Sequence, residues 1–119
     1  MRAFCISFLL MFGTTVVAQI SSKPITEVSQ KELESVVLID VRTPEEFAAG
    51  HLEHARNINW YDADFAAQMA TVDKEETIYL YCKMGGRSAK AQEKLKALGY
   101  THVVNLEGGY ASYEFFRKE

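Results

Sequence analysis

Little in this sequence is abundant enough to place it in a specialised class. Two cysteines are too few for a disulfide scaffold, and two prolines with seven glycines exclude collagen-like and proline-rich linker chains. No basic excess is present: 13 Lys and Arg stand against 16 Asp and Glu, a net charge of −3. Bulk electrostatics therefore gives no reason to expect nucleic-acid binding. Internal repeats and low-complexity tracts are also missing. What remains, 48% hydrophobic and 24% charged residues over 119 positions, is the composition of one ordinary folded domain.

An apolar run long enough to span a membrane is lacking too. The run from Phe4 to Phe12 is shorter than the roughly 20 residues such a helix needs, and it ends at Gly13-Thr14-Thr15. With Arg2 before it and the small residues Val16 and Ala18 after it, residues 1–18 read as a secretory signal peptide cleaved after Ala18. The alternative is an uncleaved anchor. The mature chain is then expected to be exported, periplasmic or secreted, with no stable membrane insertion. Residues 19–24 read as a short polar leader and 25–119 as the domain. Cleavage removes Cys5 and leaves Cys82 alone, and a single thiol in an exported protein asks for a chemical role.

Within the domain, strand and helix signals alternate. Val36–Asp40, Ile78–Cys82 and His102–Leu106 read as strands, with a shorter one around Ala55–Ile58. Ser29 with Glu32, and Thr43 with Glu46, are capping boxes; Pro44 occupies the first helical position of the second helix and Gly50 stops it. Asp62–Ala70, Ser88–Leu98 and Tyr110–Arg117 read as further helices. In the second of these, Ala91, Leu95 and Leu98 share one face, Lys90, Glu93, Lys94 and Lys96 face water, and Gly99 ends it. That solvated face makes a monomer the default. Apolar strands between amphipathic helices predict an α/β fold, a central parallel sheet covered on both faces. In such sheets ligands bind at the carboxyl ends of strands, where Asp40 and Cys82 fall.

The segment Cys82-Lys83-Met84-Gly85-Gly86-Arg87-Ser88 joins a strand to a helix. A thiol there faces the positive end of the helix and its unpartnered N–H groups. Gly85 and Gly86 let the loop curl into an anion-binding nest, and Lys83 and Arg87 add positive charge. Each feature favours thiolate, so Cys82 reads as a nucleophile of depressed pKa rather than a small hydrophobe ending a buried strand. Spacing separates the rival chemistries. Thioredoxin-type exchange needs a second cysteine where Gly85 stands, and a cysteine phosphatase loop needs one more residue than the four from Lys83 to Gly86. The loop suits a smaller anionic sulfur group.

These residues resemble those of single-domain rhodaneses, a family of sulfurtransferases. Cys82 to Arg87, followed by Ser88, is similar to the family's active loop. Leu38 to Asn59 (LIDVRTPEEFAAGHLEHARNIN) carries its Asp-Val-Arg, Glu-Phe, Gly-His and Asn-Ile landmarks in order, and Val104 to Tyr110 resembles its closing Leu-x-Gly-Gly element. The resemblance covers about residues 25–117 and implies the three-layer rhodanese-like fold. It also implies a persulfide relay. Cys82 takes the outer sulfur of a donor such as thiosulfate and passes it to cyanide or another thiol, with a protein donor or acceptor as a further partner and no cofactor. The loop from Lys83 through Met84, Gly85, Gly86 and Arg87 to Ser88 would bind the substrate, its N–H groups stabilising the outer sulfur.

Two roles stand open for each loop cation. Arg87 holds the donor's sulfonate or braces the loop against an acidic residue from the Asp40 region, and Lys83 binds the donor or is merely solvated. Asp40 and Arg42 are expected at the mouth in a supporting, mutual interaction. His51, His54 and His102 receive no general-base role, because transfer from a thiolate needs no proton abstraction. No zinc-ligand spacing supports a metal site. Many relatives carry tryptophan where this chain has Tyr110 and Tyr113, which reads as a packing substitution, and the apolar Met84 leaves donor preference open. A persulfide carrier acting on a protein partner is the alternative function.

Overall fold

The computed structural model describes residues 19–117; the proposed signal peptide, residues 1–18, lies outside the described residues. Five parallel strands form one sheet: β1 (Gln19–Pro24), β2 (Val37–Asp40), β3 (Arg56–Asn57), β4 (Thr77–Tyr81) and β5 (His102–Glu107), in the order β1-β5-β4-β2-β3. The helices are α1 (Gln30–Glu34), α2 (Pro44–Ala49), α3 (Phe65–Met69), α4 (Gly86–Ala97) and α5 (Gly109–Arg117). A turn of 3₁₀ helix at Ile25–Glu27 leads out of β1.

The period of two along the strands divides the core between the two faces of the sheet. Ile39, Val41, Ile78, Leu80, Cys82 and Val103 join Phe65 and Met69 of α3 and Ala91 and Leu95 of α4 in one cluster. Leu38, Tyr79, Tyr81 and Leu106 join Ile25, Leu33 and Leu52 in the other, with Tyr110 and Tyr113 of α5 packed against it. Lys90, Glu93, Lys94 and Lys96 are exposed, as the helical spacing requires.

Three boundaries differ from the sequence reading by more than one residue. Gln19–Pro24 is not a leader but the edge strand β1, paired with β5 from Gln19↔His102 to Pro24↔Glu107. None of its side chains is buried and half are exposed, so the segment carries little apolar alternation to betray it. The helix expected from Asp62 begins at Phe65, because the carboxylates of Asp62 and Asp64 accept from the Gln68 amide and hold a turn ahead of it. The helix expected from Ser88 begins at Gly86, since Gly85 at φ +107° turns the chain directly into it.

Local chemistry fixes the helix that matters most to the site. Thr43 Oγ1 accepts the Glu46 N–H at 3.3 Å and Glu46 Oε1 accepts the Thr43 N–H at 3.3 Å, a reciprocal capping box with Pro44 at the first turn. The Ser29 hydroxyl caps α1 through the Glu32 N–H, but the Glu32 carboxylate goes to Lys23 and Tyr79. Because β2 and β4 are parallel neighbours, α2 and the Cys82 loop leave the sheet side by side.

Candidate active site

Asp40 and Cys82 both lie at the carboxyl edge of the sheet. Asp40 is fully buried and takes Arg42 in a bidentate pair: Arg42 Nε donates to Oδ1 at 2.9 Å and Nη2 to Oδ2 at 2.7 Å. Asp40 Oδ1 also accepts the Arg42 backbone N–H at 2.9 Å. The pair is mutual, as expected, but it is buried rather than at the mouth: Arg42 is 4% exposed, because its guanidinium is paired with the Asp40 carboxylate and packs beside Tyr81 and Tyr110. Asn57 secures the same stretch of chain by donating to the carbonyls of Asp40 and Arg42 at 3.1 and 2.9 Å.

Cys82 is 1% exposed at the floor of the loop and is the free cysteine of the described residues. Its Sγ accepts the Gly85 N–H at 3.0 Å and lies 3.3 Å from Ser88 Oγ, itself fully buried. Burial disfavours the thiolate, but the Ser88 hydroxyl and the backbone N–H groups of Ser88, Gly85 and Met84 outweigh it. Together they hold the thiol below its ordinary pKa. The N-terminus of α4 beneath adds its positive end. Of the loop amides expected to surround the sulfur, that of Gly85 is hydrogen-bonded to it.

Neither loop cation is hydrogen-bonded to the Cys82 sulfur. Arg87 forms a fork with Glu46, Nη1 to Oε1 at 2.6 Å and Nη2 to Oε2 at 2.9 Å, so it braces the loop onto α2. Its guanidinium stays near enough to Cys82 for the two charges to interact. Lys83 is exposed and lines a cleft between α2 and α5, on the far side of the loop. Met84 stands 71% exposed at the tip, and Tyr61, 67% exposed, lies with its ring 5.7 Å from the Arg87 guanidinium.

The sequence marks Glu46 only as a helix cap. Its carboxylate in fact receives four donors, from Thr43 N–H and Oγ1 and from both Arg87 nitrogens, which depress its pKa to about 2, the Arg87 fork foremost. A group so depressed stabilises the fold fully above its ordinary value near 4.5, and that contribution fades as pH falls toward 2. Glu46→Gln is expected to cost on the order of 2 kcal/mol near neutrality and to flatten the acid limb of a plot of thermal midpoint against pH.

The sequence assigns no task to the closing Gly108-Gly109-Tyr110 element. Tyr110 N–H donates to the Cys82 carbonyl at 2.8 Å and Ala111 N–H to the Lys83 carbonyl at 3.0 Å, so the first turn of α5 clamps the base of the loop. Tyr110 also stacks on Arg42, whose guanidinium lies 4.3 Å from the ring centre. The aromatic substitution therefore does more than fill space. The histidines lie elsewhere: His51 stacks on Phe47 with its Nδ1 2.8 Å from the Phe47 carbonyl, His54 lies 3.9 Å from Glu34, and His102 contacts Thr101.

Comparison with known proteins fits this arrangement. The family described as "Rhodanese-like domain" matches residues 26–115. The thiosulfate sulfurtransferase PspE of Escherichia coli is 40% identical over 70 residues, 59% of this chain and 67% of that protein. The mitochondrial protein HIGH ARSENIC CONTENT 1 of Arabidopsis thaliana is 40% identical over 85 residues, 63% of this chain; the match spans 50% of that relative. The crystal structure of SSP1007 from Staphylococcus saprophyticus superposes with a TM-score of 0.68 at 34% identity, covering 78% of this chain and 92% of that one. Other relatives also bear the name sulfurtransferase. By sequence, fold and the build of its cysteine loop, this chain belongs to the rhodanese-like family.

Proposed function

We propose that this chain is a sulfurtransferase that carries sulfane sulfur on Cys82, taking it from thiosulfate or a related donor. The observation that carries the reading is the buried sulfur held by the Gly85 N–H and faced by the Ser88 hydroxyl, a cradle for negative charge. In the first step Cys82 thiolate attacks the outer sulfur of thiosulfate; a Cys82–S bond forms, the S–S bond of the donor breaks, and its electron pair leaves with sulfite. The persulfide then rests with its charge on the outer sulfur. Cyanide or a thiol attacks that atom, and the Cys82–S bond breaks to return the thiolate. No proton need be moved by a side chain, which agrees with the histidines' distance from the loop.

Incubation with thiosulfate is expected to add one sulfur atom to the intact mass of the wild type and none to Cys82→Ser. No gain in the wild type would remove the reading. The exposed Met84 and Tyr61 favour a second form of it, in which the donor or acceptor is a protein thiol docking on that apolar lip. Faster transfer from a protein persulfide than from thiosulfate would select that form. The pattern of residues 1–18 supports a further proposal, that the chain works outside the cytosol.

A further inference from the structure

Beside the loop, between α2 and α5, lies a cleft of about 480 Å³, within the size range of small-molecule sites. It is distinct from the Cys82 cradle. Cys82 belongs to the core on one face of the sheet, whereas Arg42 at the cleft floor lies 5.6 Å from the ring centre of Tyr81, on the other face. Arg42 is only 4% exposed and its guanidinium is immobilised by Asp40, by the Gly50 carbonyl at 2.6 Å and by the Tyr110 ring. Those contacts use Nε and Nη2. Nη1 has no hydrogen-bond partner among the described residues, and Arg42 is one of the residues that line the cleft. Lys83 and Tyr110 bring two more donors, the ammonium and the phenol, to the same walls, neither hydrogen-bonded among the described residues. Ala49, Ala111 and the 65% exposed Phe115 supply apolar surface between them.

We propose that this cleft binds an organic monoanion, a carboxylate or sulfonate carrying an apolar group. The acid would lie on Arg42 Nη1 and the Lys83 ammonium, and the apolar body along Phe115 and Ala49. The other charges decide against a compact polyanion. Glu46 is spent on Arg87 and Thr43, and Glu114 stands exposed at the rim, so the lining carries two positive and two negative side chains. Binding then comes from directed, charge-assisted hydrogen bonds and buried apolar area rather than from net potential.

The test is a titration of the ¹⁵N-labelled protein with sodium benzoate, its neutral isostere benzamide and sodium sulfate. Benzoate is expected to give saturable shifts at the amides of Ala49, Gly50, Tyr110 and Ala111, with affinity about tenfold above benzamide, and sulfate none there. The shifts should persist in Cys82→Ser, which keeps this site independent of sulfur transfer. They should vanish in Ala49→Trp, which fills the cleft from an exposed helical position without touching the core. Equal binding of benzamide, shifts confined to the amides of 84–88, or shifts indifferent to Ala49→Trp would each overturn the proposal.

Discussion

Replacing Cys82 with serine is expected to lower thiocyanate formation from thiosulfate and cyanide by on the order of 10³-fold or more. The cradle's donors converge on a single atom, and their service is to stabilise negative charge on sulfur before and after transfer. A serine hydroxyl ionises far above neutrality, and among the described residues no histidine or carboxylate is hydrogen-bonded at this position to help it. His51 is held on Phe47, His54 lies beside Glu34 and His102 beside Thr101. The fold should survive, because serine is smaller than cysteine and the Gly85 N–H and the Ser88 hydroxyl can hydrogen-bond its oxygen. A thermal midpoint close to the wild type beside a lost rate would therefore separate chemistry from stability. Activity retained within tenfold would place the nucleophile elsewhere.

Gly109→Ala is expected to be the most damaging single-methyl change in the domain. Gly109 has φ +61°, where an added side chain costs about 1–2 kcal/mol. A Cβ there would stand 2.5 Å from the Lys83 carbonyl oxygen and 2.6 Å from that of Cys82. Both are backbone atoms, so relief requires lifting α5 from the end of β4, with loss of the hydrogen bonds from Tyr110 and Ala111. The combined cost is about 3 kcal/mol, which lowers the thermal midpoint of a domain this size by on the order of 15 °C. Because the lost contacts hold the base of the Cys82 loop, activity should fall even well below the melting range. Full activity with a wild-type midpoint would show that α5 does not clamp the loop.

What could be read from the sequence, and what could not, divides by distance along the chain. The Thr43 capping box, the Gly-Gly turn after Cys82 and the Asp40–Arg42 pair each involve residues within a few positions of one another, and local chemistry announces them. The Arg87–Glu46 fork joins residues 41 apart; the region of its acid, after Asp40, can be named, but neither segment says which acid there the loop arginine will meet. It becomes deducible only from strand order: with β2 beside β4, the first turn of α2 must face the loop, and Glu46 is the acid on that turn which already points back toward its own cap. Strand β1 escaped for the opposite reason. An edge strand buries so little that Gln19–Pro24 looks like any polar segment, and its identity rests on pairing with β5. The direction of Lys83, into the cleft rather than the cradle, depends on how α5 docks and has no local signature at all.

The account turns on whether the thiol at the end of β4 is ionised by its surroundings despite being buried. Thiolate absorbance near 240 nm, followed against pH as the difference between the wild type and Cys82→Ser, measures this on the folded protein. A midpoint clearly below about 8.5, the ordinary value for free cysteine, is the predicted result, since the Ser88 and loop donors prevail over burial. A midpoint at or above that value would mean that burial prevails, and that Cys82 is a core residue rather than a carrier of sulfur.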